Sequence, residues 1–399
     1  MKKRKIIVLV GDGMGDYPVK ELGGRTPLQA ARIPHIRRLA AAGDVRMVQT
    51  VPLAGLSPGS DVANLSLLGY KPEDHYTGRA PIEAAGAGIP LAANDVAFRC
   101  NLVTVADGRM EDYSAGHITT EEGHQLIASV EKAMGREGLR FHGGVSYRHL
   151  LVWANGPAGI KTQPPHDIAG KPVADHLPSG ERQDEVRALM ENSVALFRDH
   201  PVNRARVAAG HKPATQIWLW GQGRSLKLPT YAELYGLTGG VITAVDLVRG
   251  LGRLIGLEVI QVPGATGFLD TNYAGKVQAA LDVLEKHPFV FVHIEAPDEC
   301  GHMGKAALKV EAIEAFDQRV VGPVWEAMEK RGDPYRLLLC TDHRTPVSVR
   351  GHTREPVPMI SLDGPVGPVS REAAFDEFVN GGKASGAVYD RMRELLRTA

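Results

Sequence analysis

Three short apolar segments of this chain each end just before an aspartate or a histidine. They are residues 6–10 before Asp12, residues 289–294 before Asp298 and His302, and residues 337–340 before Asp342 and His343, with His352 nine residues further on. Short apolar runs that alternate with helical segments are typical of buried parallel strands. The carboxyl ends of such strands meet at one edge of the sheet, so we expect these side chains to converge there in an α/β fold.

The side chains that follow the three segments are all carboxylates and imidazoles. A single buried aspartate or histidine is usually structural, but six candidates in three similarly built places indicate a shared metal site. Mixed oxygen and nitrogen ligands suit a divalent ion such as Mn²⁺ or Zn²⁺ better than a thiolate-bound structural metal. The candidate metal ligands are Asp12, Asp298, His302, Asp342, His343 and His352.

Length and charge limit the class of protein. A chain of 399 residues is too long for one ordinary core, so we expect two domains. With 46 basic and 46 acidic residues, nothing favours a nucleic acid or an anionic membrane as partner. No stretch approaches the roughly 20 apolar residues of a membrane span. Three cysteines in apolar surroundings do not form a disulfide framework, so we expect a cytoplasmic protein.

The metal candidates occupy only the first and last parts of the chain. Strand-like and helix-like segments alternate in both parts, whereas the pattern changes from about residue 96 to the glycine-rich residues 221–223. We therefore predict a discontinuous catalytic domain, residues 1–93 and 236–399, with a smaller α/β domain, residues 94–235, inserted in it.

Ser60 is the candidate nucleophile, because the sequence Gly59-Ser60-Asp61 opens a helical run. A hydroxyl at a helix start lies near free backbone N–H groups and the positive end of the helix dipole, which suits a phosphate. The alternative is an ordinary N-cap. Ser60 becomes a useful nucleophile only beside an activating group such as a metal ion. The segment lacks the Gly-x-Ser-x-Gly pattern of acyl-transfer hydrolases.

The glycine-rich segment from Gly11 to Asp16 imitates a dinucleotide-binding motif. Its sixth position is Asp16 instead of glycine or alanine, and an acidic residue there would repel pyrophosphate. The P-loop pattern is absent from the sequence. Glycines that allow close backbone approach to the metal ligand Asp12 fit the segment better.

Together these motifs resemble the alkaline phosphatase superfamily. Within it, the chain is similar to the cofactor-independent (2,3-bisphosphoglycerate-independent) phosphoglycerate mutases of the archaeal type, and the resemblance runs nearly end to end. The matching motifs are Asp12, the segment 57–64, Asp298 with His302, Thr341-Asp342-His343 and Gly351-His352-Thr353. The resemblance implies a three-layer core with a mostly parallel sheet.

The resemblance also implies two metal ions and a phosphoserine intermediate. Asp298, His302 and His352 would hold one ion, and Asp12, Asp342, His343 and the Ser60 oxygen would hold the other. Mn²⁺ is the expected metal, with Zn²⁺, Co²⁺ and Mg²⁺ as alternatives.

The residues that handle the substrate are expected in the inserted domain. His117 and Arg148 would act in catalysis as well as in binding, since an arginine fork grips a carboxylate or phosphate. The residues in motifs shared with the family are Asp112, His117, Arg148 and Asp167, and Arg204 is a further candidate.

We expect an enzyme that interconverts 3-phosphoglycerate and 2-phosphoglycerate, a reaction of glycolysis and gluconeogenesis. Its partner would be a small phosphorylated substrate. The sequence leaves open whether the chain also forms a homo-oligomer. The alternatives are a homoserine kinase-like phosphotransferase, as proposed for a bacterial branch of this group, and a metal-dependent phosphatase. A catalytically silent metal-binding scaffold is disfavoured, because nucleophile and ligands are retained together.

Overall fold

The computed structural model describes residues 4–52 and 55–397. Residues 1–3, 53–54 and 398–399, which the predicted catalytic domain includes, lie outside the described residues. The strands are β1 (Lys5–Gly11), β2 (Asp44–Val48), β3 (Asp95–Ala106), β4 (Arg109–Asp112), β5 (Leu139–His142), β6 (Arg148–Ala154), β7 (Gln216–Arg224), β8 (Gly239–Ile242), β9 (Glu258–Ile260), β10 (Phe289–Ile294), β11 (Tyr335–Cys340) and β12 (Val357–Gly364).

The α-helices alternate with these strands through much of the chain. They are α1 (Pro27–Ala30), α2 (Pro34–Ala42), α3 (Ser60–Leu67), α4 (Pro72–His75), α5 (Arg79–Gly86), α6 (Thr120–Met134), α7 (Gln183–Arg198), α8 (Pro201–Ala208), α9 (Tyr231–Tyr235), α10 (Asp246–Leu254), α11 (Tyr273–Lys286), α12 (Ala296–His302), α13 (Ala306–Phe316), α14 (Gly322–Arg331) and α15 (Val388–Arg397). A π-helical turn, Asp317–Val321, joins α13 to α14, and short 3₁₀ helices span Lys20–Leu22, Pro165–Ile168, Ala174–His176 and Val379–Gly382.

The chain forms two compact units. Met1–Tyr76 and Lys227–Ala399 make the first, and Thr77–Leu226 make the second. The first unit is built on a seven-stranded sheet of order β2-β12-β11-β1-β10-β8-β9. The five strands from β11 to β9 are parallel, whereas β12 and β2 are antiparallel additions at one edge. The predicted α/β class with a mostly parallel sheet is confirmed.

Helices cover both faces of the first sheet, because its central strands are apolar on both sides. Ile6 to Val10 of β1 are all at most 1% exposed, which requires a covering layer on each face. Ile7 and Leu9 pack in a core with residues of α2, α11, α13 and α14. On the opposite face, the ring of Tyr231 in α9 lies 4.9 Å from that of Phe289, and α10 and α15 pack near α3. The result is a three-layer arrangement.

The second unit has a five-stranded antiparallel sheet centred on β3. Its order is β4-β3-β6-β5, and β7 also pairs with β3. Helices α6 and α7 pack against this sheet, and its core includes Phe98, Trp153 and Trp218.

The junctions between the units differ from the predicted boundaries at residues 93 and 235. Helix α5 belongs to the second unit, because Ala80 and Ala84 pack against Ala97 of β3. The segment 227–235 belongs to the first unit, because the Tyr231 hydroxyl donates to Leu68 O at 3.0 Å. Among the described helices, none has the length and apolar composition that crossing a bilayer requires.

Candidate active site

The carboxyl ends of three adjacent strands, β11, β1 and β10, bring the candidate ligands of the first unit together. Asp12 directly follows β1, and its backbone N–H donates to Ile294 O at the end of β10 at 2.9 Å. On the other side, the N–H of Gly13 donates to Asp342 Oδ1 at 3.0 Å. Gly13 has φ +63°, and a Cβ there would lie 2.6 Å from Asp298 Oδ1, so only glycine lets the chain pass this closely.

Asp12, Asp342 and His343 form an inner group, with one candidate ligand atom of each within 4.8 Å of the others. His343 Nε2 lies 3.4 Å from Asp12 Oδ1 and 3.4 Å from Asp342 Oδ2. All three side chains are at most 2% exposed. Asp12 Oδ1 is buried without a hydrogen-bond partner in the described part of the chain.

Asp298, His343 and His352 form an outer group, so His343 belongs to both groups. His302, which sequence analysis also predicts as a ligand, lies beside the outer group: its Nε2 is 3.2 Å from Asp298 Oδ2. His302 Nδ1 is 3.1 Å from Arg350 O, which can only accept. Nδ1 therefore carries a proton. Burial would lower the pKa of His302, but the hydrogen bond and charge of Asp298 raise it to about 9, so a metal ion would take the place of the proton on Nε2.

Ser60 lies at the start of α3, beside the inner group. Its Oγ is 3.0 Å from His343 Nε2. The N-cap of α3 is Gly59, and no side chain caps it, so Ser60 does not act as an ordinary N-cap. Asn64 holds this arrangement, because its amide donates to Ser60 O and to Asp342 Oδ2, both at 2.9 Å.

Three buried carboxylates lie close together in this site. Burial, reinforced by the charges of Asp342 and Asp298, raises the pKa of Asp12 well above its usual range. Burial also raises the pKa of Asp342. For Asp298, burial has the same tendency, but the imidazoles of His352 and His302 outweigh it and hold its pKa well below its usual range. So much buried negative charge calls for cations, and the orphaned Asp12 oxygen and the His302 tautomer fit metal ligation.

His293 is a site residue that sequence reasoning missed. It lies in β10, is fully buried, and its Nε2 is 3.1 Å from Asp12 Oδ2. Burial lowers the pKa of His293 to about 4, so its ring is neutral and adds no charge beside Asp12, and within the described residues its Nε2 makes no hydrogen bond. The sequence did contain a signal for this residue, because a histidine inside an otherwise apolar strand is unusual.

The second unit contains all the predicted substrate-handling residues. His117 is exposed and has a positive φ of 51°, and its N–H donates to Ser114 Oγ at 3.1 Å. Ser114 Oγ in turn donates to Asp112 Oδ1 at 2.6 Å, so Asp112 and His117 belong to one turn. Arg204 is exposed on α8, whereas Arg206 is buried and donates to Ala115 O at 2.8 Å, which braces the same turn.

Aromatic contacts connect Arg148 with the segment of Asp167. The Arg148 guanidinium lies 5.6 Å from the ring of Tyr147, and the rings of Tyr147 and Tyr113 are 6.0 Å apart. Tyr113 lies 6.1 Å from the ring of His166, next to Asp167. Asp167 itself is exposed, and partial burial raises its pKa.

Arg79, Arg99 and Arg148 all act electrostatically on one half-buried carboxylate, Glu83, and we call these four residues the arginine cluster. Glu83 is 2.8 Å from Arg79 Nε and 2.8 Å from Arg99 Nε. Burial lowers the pKa of Arg99 to about 10, with Arg79 and Arg148 contributing. Burial would raise the pKa of Glu83, but Arg99 and Arg79 outweigh it and lower that pKa. Three cations against one anion leave the cluster positive.

The fold and this site define a class of α/β proteins with candidate metal ligands and a serine at the carboxyl edge of a mostly parallel sheet. A sequence profile of 2,3-bisphosphoglycerate-independent phosphoglycerate mutase matches residues 40–203. The chain is 52% identical to such a mutase from Methanothrix thermoacetophila, over 94% of each chain. It is 49% identical to a probable mutase of the same name from Geobacter sulfurreducens, over 98% of this chain and 99% of the relative.

A solved structure supports the same assignment. The cofactor-independent phosphoglycerate mutase from Thermoplasma acidophilum is 26% identical, covers 100% of both chains and superposes with a TM-score of 0.63. This chain belongs to the 2,3-bisphosphoglycerate-independent phosphoglycerate mutase family, as its sequence motifs predict.

Proposed function

We propose that this chain interconverts 3-phosphoglycerate and 2-phosphoglycerate through a phosphoserine at Ser60. The observation that carries the proposal is the 3.0 Å approach of Ser60 Oγ to His343 Nε2. His343 belongs to both groups of candidate ligands, so the nucleophile lies where the two groups meet. This interconversion is a reaction of glycolysis and gluconeogenesis, so we infer a cytoplasmic enzyme that acts on a small phosphorylated substrate.

The candidate ligands divide between two divalent ions, with Mn²⁺ the expected metal. Asp12, Asp342, His343 and Ser60 would hold one, and Asp298, His302 and His352 would hold the other. When bound, the ions would favour the alkoxide form of the serine and neutralise the phosphoryl oxygens. Mixed carboxylate and imidazole donors suit Mn²⁺ and Zn²⁺ and do not select strongly between them.

Ser60 would carry the phosphoryl group between two positions of one glycerate. In the first step a bond forms between Ser60 Oγ and phosphorus while the bond from phosphorus to the substrate oxygen breaks. The released glycerate hydroxyl ends with the proton that the serine lost. In the second step a bond forms between the other glycerate oxygen and phosphorus while the bond from Ser60 Oγ to phosphorus breaks. The proton that this glycerate hydroxyl loses returns to Ser60. In the first turn of α3 the Val62 N–H already donates to Asp61 Oδ1, but the positive end of the helix dipole there would still favour the phosphoryl oxygens.

The second unit would bind the glycerate, because its arginine cluster carries excess positive charge. A phosphoglycerate presents a phosphate and a carboxylate, and a guanidinium fork matches both. Arg148 is the exposed member of the cluster. We therefore assign Arg148 and His117 to catalysis and substrate binding, and Asp112, Asp167 and Arg204 to substrate binding.

An enolase-coupled assay with Mn²⁺-loaded protein tests this function directly. We expect 2-phosphoglycerate to appear from 3-phosphoglycerate without added bisphosphoglycerate. Parallel reactions measure phosphate release and the phosphorylation of homoserine by ATP. Phosphate release without isomerisation would instead support a phosphatase, and ATP-dependent phosphorylation of homoserine without isomerisation would support a kinase-like enzyme.

A further inference from the structure

Thr345 connects the two groups of candidate metal ligands through one hydroxyl. It lies two residues after His343 and is fully buried. Its Oγ1 donates a short hydrogen bond to Asp298 Oδ1 of the outer group. The same oxygen lies 3.2 Å from Nδ1 of His343, the residue that both groups share.

Only one arrangement of protons lets Thr345 Oγ1 make hydrogen bonds to both Asp298 and His343. The carboxylate of Asp298 only accepts, so it takes the single proton of the Thr345 hydroxyl. The hydroxyl oxygen must then accept from His343, which places a proton on Nδ1. A neutral His343 with a proton on Nδ1 has its lone pair on Nε2, the nitrogen that faces Ser60 Oγ.

The backbone around Thr345 is fixed from two sides. Its carbonyl accepts from the ammonium of Lys309 at 2.8 Å, and its N–H donates to Gly15 O at 3.0 Å. The buried Lys309 also donates to Gly15 O at 2.9 Å and to Asp16 Oδ2 at 2.8 Å. A Cβ at Gly13 would lie 2.6 Å from Thr345 Oγ1, so the hydroxyl is closely enclosed.

We propose that Thr345 is a positioning residue that fixes the tautomer of His343 and couples it to Asp298, so that both ions bind tightly. This inference rests on the proposed two-ion site. Hydrogen bonds that orient metal ligands typically change metal affinity by about 10- to 100-fold. Thr345 would therefore act on metal affinity without touching the substrate or an ion.

Calorimetric titration of metal-stripped protein with Mn²⁺ tests the proposal. We expect Thr345→Val, which keeps the shape and removes the hydroxyl, to bind about 10- to 100-fold more weakly than the wild type. Thr345→Ser should retain the affinity within about threefold, because it keeps the hydroxyl. Thr104→Val is the control: it removes another buried hydroxyl, which donates to Pro213 O at 2.7 Å in the second unit.

A spectroscopic measurement reports the tautomer without using activity. In Zn²⁺-loaded protein, long-range ¹H–¹⁵N spectra should show the proton of His343 on Nδ1, and Thr345→Val should broaden or shift that signal. If Thr345→Val does not fold, Thr345→Ala supplies the hydroxyl-free protein. Wild-type affinity in either folded variant, or a loss in Thr345→Ser equal to that in Thr345→Val, would overturn the proposal. Wild-type protein that binds no ion would instead refute the metal site itself.

Discussion

The imidazoles of His302 and His352 face each other, with their Nε2 atoms 3.0 Å apart. Because His302 donates through Nδ1 to Arg350 O, a neutral His302 has only a lone pair to offer at Nε2. Two ring nitrogens that bind one ion at about 2.1 Å end up about 3.0 Å apart at a right angle and about 3.4 Å apart at the tetrahedral angle. The pair is therefore spaced as two ligands of one ion, with Asp298 as the third.

Replacing His302 should remove one of two bound ions. We expect His302→Ala to contain about one divalent ion per chain and to keep its fold, because the side chain is partly exposed and outside the hydrophobic core. Plasma mass spectrometry measures the metal content, and circular dichroism measures the fold. His211→Ala, at an exposed position in the second unit, is the control. Two tightly held ions in His302→Ala would exclude His302 as a ligand.

Replacing Ser60 should abolish turnover. Loss of a covalent nucleophile typically lowers the rate by several orders of magnitude, so Ser60→Ala should show almost no mutase activity while its unfolding is unchanged. Mass spectrometry after rapid quenching with phosphoglycerate should find the phosphate on the peptide that contains Ser60. Ser57→Ala is the neighbouring control and should remain active. Phosphate on Ser57 or Ser66 would identify a different nucleophile.

The convergence of the candidate ligands could be predicted from the sequence because it depends on strand ends. Parallel strands put their carboxyl ends at one edge of a sheet, so the sequence pattern alone predicts that Asp12 and Asp342 lie together. The contacts of Thr345 and His293 were not predictable in this way. Whether a buried threonine or strand histidine reaches a ligand depends on side-chain packing between distant segments, such as the 3.1 Å approach of His293 to Asp12.

The domain boundaries were less accurate for a similar reason. Residues 79–86 lie within the predicted catalytic domain, but their sequence does not say which sheet they cover, and Ala80 and Ala84 in fact pack on the second unit. The glycines at 221 and 223 suggested the end of a domain, yet both lie inside β7. Gly221 has a φ of +61° near an irregular pairing with β3, a conformation that glycine adopts inside a strand without strain.

Acid should destabilise the protein partly through His149. Burial lowers the pKa of His149 to about 3, from 6.5 in the unfolded chain, so between these values only the unfolded state takes up the proton. Stability is therefore lost as the pH falls below 6.5. The loss from this residue should reach about 2 kcal/mol at pH 5.

Urea unfolding at pH 7 and pH 5 measures this contribution. Tryptophan fluorescence suits the experiment, because Trp153, Trp218 and Trp220 of the second unit are three of the four tryptophans. His149→Asn can still accept from the Gly144 N–H, which now donates to Nδ1 at 3.0 Å, and should show a smaller loss between the two pH values. The exposed His211→Asn is the control. Equal losses in wild type and His149→Asn would contradict the assignment.

Arg148 should separate isomerisation from hydrolysis. A mutase must hold glycerate after its phosphoryl group has left, so an arginine that grips the carboxylate matters for transfer and not for metal binding. Removing such a contact costs about 2–5 kcal/mol, on the order of 30-fold or more in rate. We expect Arg148→Ala to lower mutase turnover by at least this factor, to raise the ratio of phosphate release to isomerisation, and to keep its metal content.

The control variant is Arg140→Ala, which loses an exposed ion pair with Glu131. Its mutase turnover, its ratio of phosphate release to isomerisation and its metal content should all be unchanged. Wild-type mutase kinetics in Arg148→Ala would remove this residue from the site.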